Sequence, residues 1–221
     1  GVNTNDYGAQ VAPVVASLSD GGFVIAWQDN SIDQSDYGIA ARQFDSTNLG
    51  GEVFRVNQQH QGYQGNVAIA GISDGGFVVT WQSNGNVDKD SSGSTIIGQR
   101  FDSGGSAIGD STPFNESEFQ INSHTDNDQT MPSVTGLASG GFVATWQSYS
   151  QDGSQWGIFG QVYDASGDRL GEEFKVHTYA PDYQSNSAVS ALPGGGFVVA
   201  WEANDHPDGS GGNTEIFAQK F

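Results

Sequence analysis

The chain contains no cysteine among its 221 residues. This absence excludes disulfide bonds and thiolate metal sites, and it removes the usual indicator of an oxidising or reducing compartment. It is compatible with an extracellular protein, because large secreted bacterial proteins commonly lack cysteine.

Basic residues are scarce, since 7 lysines and arginines stand against 26 acidic residues and give a formal net charge of −19. Phosphate binding needs clustered lysine and arginine, so nucleic acid is an unsuitable partner and an anionic membrane surface is disfavoured. An acidic surface rich in Asp, Asn and Gly attracts hard divalent cations, above all Ca²⁺. The alternative is that the acidity keeps a secreted protein soluble and monomeric.

Long hydrophobic runs are also absent. The sequence has no apolar run of about 18 residues and no charged-then-apolar leader, so it predicts neither a membrane-spanning helix nor a signal peptide. It begins with Gly1 rather than Met, which indicates either a removed leader or a piece of a longer protein.

The most informative feature is a repeated segment in which a glycine pair precedes a phenylalanine and, four residues later, a tryptophan. The copies recur every 54 to 65 residues, a period typical of repeat architectures. After each copy come a polar stretch, a segment such as RQFD and an apolar segment such as EVFRVN. The four copies read GGFVIAWQ, GGFVVTWQ, GGFVATWQ and GGFVVAWE, with their phenylalanines at Phe23, Phe77, Phe142 and Phe197.

The apolar segments are short, rich in Val, Ile, Phe and Ala, and bounded by Gly, Asn, Asp and Ser, which is typical of strands. Helical periodicity is absent, so the sequence predicts an all-β protein. The Phe-to-Trp segment is apolar on both sides of its pleat and is therefore expected to be buried on both faces. Four four-stranded antiparallel sheets, each between two neighbours, predict one four-bladed β-propeller domain. The predicted blades span 4–57, 58–122, 123–177 and 178–221 together with 1–3.

Residues 1–3 match the end of the fourth strand of the other units, which reads FRVN, FQIN or FKVH. They are therefore predicted to complete the last blade. So short a seam, against a usual strand of about five or six residues, predicts a weak closure or one shared with a neighbouring chain. An unpaired strand edge is a template for another chain, so self-association through this seam is a further expectation.

The long polar connections are all predicted to lie at one end of the blades, because connections in an antiparallel sheet alternate between its two ends. Long loops gathered on one face of a rigid scaffold commonly carry binding function. The connections between blades also carry a repeated glutamine, which is interpreted as a structural hydrogen-bonding group that sets the loop. These glutamines are Gln10, Gln64, Gln129 and Gln184, and the candidate ligand-binding tyrosines beside three of them are Tyr7, Tyr63 and Tyr183.

Each loop between the second and third strands carries an aspartate at an equivalent position, and two of these loops carry another. Ca²⁺ takes roughly six to eight oxygen ligands, so one carboxylate per loop with carbonyls and waters predicts a calcium site in each blade. The alternative is an Asx turn, in which the side chain shapes its own loop. The candidate metal ligands are Asp33, Asp36, Asp88, Asp90, Asp152 and Asp208.

The tryptophans of the repeat alternate with buried positions and are assigned to the core. Trp156 is different, because it lies in a polar loop at SQWG, where the first unit has Tyr37 in SDYG. These two aromatic side chains are candidates for contact with a carbohydrate or another protein, and the alternative is a lid packed over the blade edge. The core tryptophans are Trp27, Trp81, Trp146 and Trp201.

Signals for an enzyme are few. The four histidines do not recur at one repeat position, and neither a Ser/His/Asp order nor an HExxH pattern is present. Glu172 and Glu173 are adjacent in a strand and point to opposite faces, unlike the opposed carboxylates of a glycosidase.

The unit GGFVxxWQ, followed by an Asp/Gly loop and an EFxVN segment, resembles the tandem repeats of very large secreted bacterial proteins. These are the haemolysin-type or RTX-like calcium-binding proteins and adhesins. The resemblance implies an extracellular or cell-surface protein that binds Ca²⁺ and acts in adhesion, in a matrix or in ligand binding. It also implies a carbohydrate or a surface protein as partner.

The sequence therefore favours a non-enzymatic binding or structural module that binds divalent cations, and glycans or a protein, through its long-loop face. A lectin with one sugar site per blade is a variant of this interpretation. Two alternatives stay open at this point, a self-assembling surface filament and a polysaccharide-active enzyme.

Overall fold

The computed structural model describes residues 1–4, 7–32, 36–58, 61–84, 93–109, 117–153, 155–178, 183–204 and 213–221. These residues form four antiparallel sheets in which consecutive strands pair, apart from the last short strand of the second sheet, which pairs with the strand two before it. The first sheet contains β1 (Gln10–Ser17), β2 (Phe23–Asp29), β3 (Gly38–Phe44) and β4 (Phe54–Arg55). The second contains β5 (Gln64–Gly71), β6 (Phe77–Ser83), β7 (Thr95–Phe101), β8 (Ala107–Ile108) and β9 (Phe119–Gln120).

The third sheet contains β10 (Gln129–Gly136), β11 (Phe142–Tyr149), β12 (Trp156–Tyr163) and β13 (Arg169–Lys175). The fourth contains β14 (Gln184–Ala191), β15 (Phe197–Ala203) and β16 (Glu215–Lys220). The described residues include no helix long and apolar enough to cross a membrane. The sheets are the four blades of a β-propeller, which confirms the predicted fold class.

The glycine pair of the repeat is explained by the geometry of the turn between the first two strands of each blade. The first glycine has a positive φ, between 87° and 101° across the four copies, where other residues are strained. At the second glycine, an added Cβ would lie 1.9 to 2.4 Å from the carbonyl oxygen that ends the third strand of the same blade. The second glycines are Gly22, Gly76, Gly141 and Gly196.

This crowding predicts that Gly141→Ala destabilises the protein. The new Cβ would lie 1.9 Å from the Tyr163 carbonyl oxygen, a backbone atom that no side-chain rotation can move away. We expect a loss of about 1–3 kcal/mol in the free energy of unfolding, measured by urea denaturation. Gly194→Ala is the matched control, because nothing lies within 4 Å of its added Cβ. Equal midpoints for the two variants would contradict the packing explanation.

The hydrophobic core lies between neighbouring blades in three clusters. In the first cluster, Val24, Ala26 and Ile39 of the first blade pack against Phe77 and Trp81 of the second. The other two clusters repeat this arrangement between the second and third blades and between the third and fourth. The four tryptophans of the repeat are at most 7% exposed, which confirms their assignment to the core.

The innermost strand of each blade carries a β-bulge near its beginning. The residue at the bulge has a positive φ, between 49° and 54°, in all four blades. Together the bulges line one cavity of about 380 Å³, so the four innermost strands face a common axis. The bulge residues are Ala12, Asn66, Met131 and Asn186.

The seam between the last and first blades differs from the prediction. The fourth sheet has three strands among the described residues, with β16 at its edge, and residues 1–3 do not add a strand to it. They contact the first blade instead, where Arg42 Nη1 donates a hydrogen bond to the Val2 carbonyl oxygen over 2.9 Å. Asn3 Nδ2 likewise donates to Gln10 Oε1 over 3.3 Å.

Candidate functional site

The cavity on the axis lies near the end where the innermost strands begin, which is the end reached by the long connections. We call it the axial cavity. Its lining combines amide and hydroxyl groups from Asn66, Asn186 and Ser187 with the apolar side chains of Val67 and Met131. A concave site with a mainly apolar lining and a few polar groups is the usual form of a small-molecule site.

The glutamine that follows the repeat tryptophan in the first and third blades binds the bulge of the next blade. Gln28 Oε1 accepts a hydrogen bond from the Asn66 backbone N–H at 2.7 Å, across the interface between the first two blades. Gln147 Oε1 accepts one from the Asn186 backbone N–H at 2.9 Å, across the interface between the last two. The glutamine of the WQ motif therefore fixes the backbone that lines the axial cavity.

The fourth blade breaks this repeat with a glutamate. Glu202 stands at the register position that Gln28, Gln82 and Gln147 occupy in the other blades. Its Oε2 accepts a hydrogen bond from Asn186 Nδ2 at 3.0 Å, as Gln82 Oε1 does from Asn66 Nδ2 at 2.7 Å. Glu202 is thus hydrogen bonded to Asn186, which lines the cavity. It is the single carboxylate among the four equivalent positions.

A second group of charged side chains lies in the third blade. His177 Nε2 is 2.7 Å from Asp152 Oδ2, and Lys175 Nζ is 3.9 Å from the same oxygen. The Ile158 backbone N–H donates to His177 Nδ1, so Nε2 carries the ring proton and donates to the carboxylate. Burial lowers the pKa of His177 despite the opposing effect of the Asp152 hydrogen bond. The ring is therefore held neutral, and its two hydrogen bonds connect the backbone of β12 with the Asp152 side chain.

This histidine predicts a pH-dependent stability. Because the folded pKa is lowered, the unfolded chain binds the proton more readily, so stability is lost as pH falls below the ordinary histidine pKa of about 6.5. His177→Asn removes the titration, and asparagine already fills this position as Asn57 and Asn122, each accepting a strand N–H. We expect the wild-type melting temperature to fall more than that of the variant between about pH 7.5 and pH 5. An equal fall in both proteins would contradict this assignment.

The predicted calcium ligands are only partly described by the structure. Asp36 is exposed and its Oδ1 accepts a hydrogen bond from the Tyr37 backbone N–H at 2.9 Å. Asp152 is largely buried against His177 and Lys175. Within the described parts of the chain, no three acidic or histidine side chains are grouped to hold a metal. The other candidates, Asp33, Asp88, Asp90 and Asp208, lie outside the described residues, so calcium binding stays a prediction.

The structure brings two of the predicted ligand-binding aromatic residues together. The rings of Tyr37 and Tyr63 meet edge to face, with centroids 6.2 Å apart, where the first blade leads into the second. Trp156 instead packs on Tyr149 of its own blade, with centroids 5.3 Å apart. Ligand binding by these residues stays a prediction.

Tyr7 is 81% exposed and its carbonyl oxygen accepts from Gln10 Nε2, whereas Tyr183 is partly buried and its carbonyl oxygen accepts from the Asn204 backbone N–H. Ligand contact by these tyrosines also stays a prediction. Gln10, Gln64 and Gln129 form the expected structural hydrogen bonds to loop carbonyl oxygens. Gln64 Nε2 donates to the Gln61 carbonyl oxygen, and Gln129 Nε2 donates to that of Asp126.

Sequence reasoning did not single out Glu202 or the axial cavity. The signal is a single letter, the change from WQ to WE in the fourth copy of the repeat. It lies within a strongly apolar strand, whereas the sequence patterns that indicate binding lie in the polar loops. A positive φ at the bulge is not visible in the sequence, because the four bulge residues share no side-chain type.

No protein-family model matches the chain, and no curated protein matches it. Similar folds are found among solved structures. The family GH93 α-L-arabinofuranosidase of Fusarium graminearum has 14% identity and a TM-score of 0.61, over 96% of this chain and 62% of that one. The endo-arabinase of Bacteroides thetaiotaomicron has 16% identity and a TM-score of 0.52, over 97% and 77%.

A third similar structure is the Hadza microbial sialidase Hz136, with 11% identity and a TM-score of 0.58 over 96% of this chain. The present chain spans less than two thirds of the length of the sialidase and of the arabinofuranosidase, 44% and 62% respectively. At these identities the comparisons establish the propeller fold.

The comparisons also correct the functional interpretation drawn from the sequence. The expectation of a non-enzymatic binding or structural module is wrong, because the structures that share this fold include an arabinofuranosidase, an endo-arabinase and a xylanase. The alternative from the sequence, a polysaccharide-active enzyme, agrees better with them. The chain is thus a four-bladed β-propeller whose fold is shared with glycoside hydrolases.

Proposed function

We propose that this protein is a polysaccharide-active glycoside hydrolase that binds a glycan at the axial cavity. The observation that carries the proposal is the carboxylate of Glu202, placed beside this cavity where the other blades have an uncharged glutamine. The occurrence of the same fold in arabinan-, arabinofuranoside- and xylan-degrading enzymes supports it.

The lining of the cavity suits a sugar. The amides of Asn66 and Asn186 can donate to and accept from hydroxyl groups, and Val67, Met131 and Pro132 offer apolar surface to the C–H faces of a ring. Such a mixture orients a ligand by a small number of polar groups within a mainly apolar site. A strongly anionic glycan would be repelled by the net charge of −19, so the proposal favours neutral polymers such as arabinan and xylan.

Hydrolysis of a glycosidic bond usually requires two carboxyl groups, one of which protonates the leaving oxygen. Glu202 is the candidate for one of these, as general acid or general base, because it is partly buried and its position is fixed by Asn186. From the sequence alone, the candidates for the second carboxyl group are the aspartates of the loops between the second and third strands of the blades.

We further propose that the protein acts outside the cell, because polymeric substrates of this kind do not cross a membrane intact. Calcium and a carbohydrate partner remain part of this proposal as predictions from the sequence.

The direct test is incubation with arabinan, linear xylan and sialylated oligosaccharide, with released reducing ends measured and products separated by chromatography. We expect release from a neutral polysaccharide and none from the sialylated substrate. Binding of a polysaccharide in affinity electrophoresis without release of reducing ends from any substrate would overturn the enzymatic proposal.

A further inference from the structure

The three interfaces between blades share one pattern. Each blade presents one face to the next, which we call the outgoing face, and receives the previous blade on its opposite, incoming face. On the outgoing faces of the first three blades, one isoleucine of the third strand is 0% exposed. These residues are Ile39, Ile96 and Ile158.

In the described part of the chain, the outgoing face of the fourth blade has no such cover. Ile216 holds the equivalent position in β16 and is 72% exposed. The incoming face of the first blade is open as well, since Val15 in β1 is 65% exposed whereas its counterpart Val134 in β10 is 8% exposed. One blade face at each end of the series therefore has the apolar residues of an interface but makes no such contact with any residue that the structure describes.

The backbone at the open edge of the fourth blade also differs from that of the other blades. In each of the first three blades the third strand pairs with a closing segment, as in the hydrogen bonds from Val56 N–H to the Ile39 carbonyl oxygen and from Ile39 N–H to Asn57 Oδ1. Among the described residues, no strand pairs with the corresponding edge of β16. An open strand edge beside an exposed apolar side chain is a template for another chain.

The segment that would fit this edge is present at the other end of the molecule. Asn3 Nδ2 donates to Gln10 Oε1 as Asn122 Nδ2 donates to Gln129 Oε1, so Asn3 holds the same position before the first blade that Asn122 holds before the third. Residues 1–4 therefore lie against the first blade in the same way that each closing segment lies against the blade that follows it.

We propose that the outgoing face of the fourth blade binds the incoming face of the first blade of a second copy, including its residues 1–4. The contact repeats the interface between blades that this chain contains three times. Such a head-to-tail contact is heterologous, so it generates a ring where the rotation closes and an open chain where it does not. The proposal does not depend on catalytic activity.

The first test is sedimentation velocity on the wild type, on Ile216→Lys and on Leu170→Lys, over a roughly hundredfold range of concentration. Leu170 is the matched control, because it is also exposed, at 61%, but lies on β13 of the third blade, outside the two open faces. We expect the wild type and Leu170→Lys to associate with rising concentration, and Ile216→Lys to weaken the association by at least about tenfold. A wild type that stays monomeric throughout, or association equal in all three proteins, would overturn the proposal.

The second test uses the absence of native cysteine. In the first blade, Ala40 pairs with Arg55. The equivalent positions at the proposed interface are Phe217 of one copy and Gly1 of the next. We expect an oxidised mixture of Gly1→Cys and Phe217→Cys chains to form covalent dimers well above the level in either variant alone. A mixture that forms no more dimer than the separate variants would exclude this interface, whatever the outcome of the glycan assays.

Discussion

Replacement of Glu202 by glutamine is expected to lower the rate of glycan hydrolysis by roughly 10²- to 10⁴-fold, the usual contribution of a general acid or base. The change removes a charge and a titratable proton while keeping the size of the side chain. The Asn186 hydrogen bond should survive, because Gln82 accepts the same bond from Asn66 in the second blade. The measurement is kcat/KM on the best substrate of the panel, together with a thermal melt.

Glu172→Gln is the control for this experiment, since Glu172 is an exposed carboxylate on β13 that the proposal gives no role. It should leave both activity and melting temperature unchanged. Equal activity of Glu202→Gln and the wild type would remove Glu202 from the mechanism. A large loss of stability in Glu202→Gln would identify the residue as structural.

Truncation of Trp146 to alanine is expected to have the largest effect on stability. Trp146 is 0% exposed and belongs to the cluster between the second and third blades, with Phe142, Phe159 and Ile96. Removal of a buried aromatic side chain costs about 3–5 kcal/mol, which for a domain of this size lowers the melting temperature by roughly 6–20 °C. Differential scanning calorimetry would measure it.

The indole N–H groups provide a matched comparison. Trp146 Nε1 is buried without a hydrogen-bond partner among the described residues, whereas Trp81 Nε1 donates to Gln64 Oε1 at 3.0 Å. Trp146→Phe therefore removes an unsatisfied donor, while Trp81→Phe leaves a buried acceptor without its partner. We expect Trp81→Phe to destabilise more than Trp146→Phe. The reverse order would contradict the packing described for the two tryptophans.

The fold was predictable because three letters of GGFVxxWQ each have a separate physical cause. The first glycine supplies a positive φ, the second leaves room for a carbonyl oxygen, and the tryptophan fills the space between blades. The seam was not predictable in the same way. Asn3 matches the closing segments in sequence because it forms the same hydrogen bond to the first glutamine of the following blade. That match does not indicate whether Asn3 also lies beside β16.

The candidate site depended on the three-dimensional arrangement of weak local signals. The acidic loops dominate the polar sequence, so they directed the prediction towards calcium and towards a binding module. The axial cavity arises only when four bulges converge, and the residues Ala12, Asn66, Met131 and Asn186 have no common chemistry. The change from glutamine to Glu202 points to a function only when the hydrogen bond between Glu202 and Asn186 is known.

The most direct test of the account is a crystal structure of the Glu202→Gln protein soaked with an oligosaccharide from its best substrate. We predict a sugar in the axial cavity, hydrogen bonded to Asn66 or Asn186, with a glycosidic oxygen near residue 202. A sugar bound elsewhere, with the axial cavity empty at a saturating concentration, would contradict the central claim.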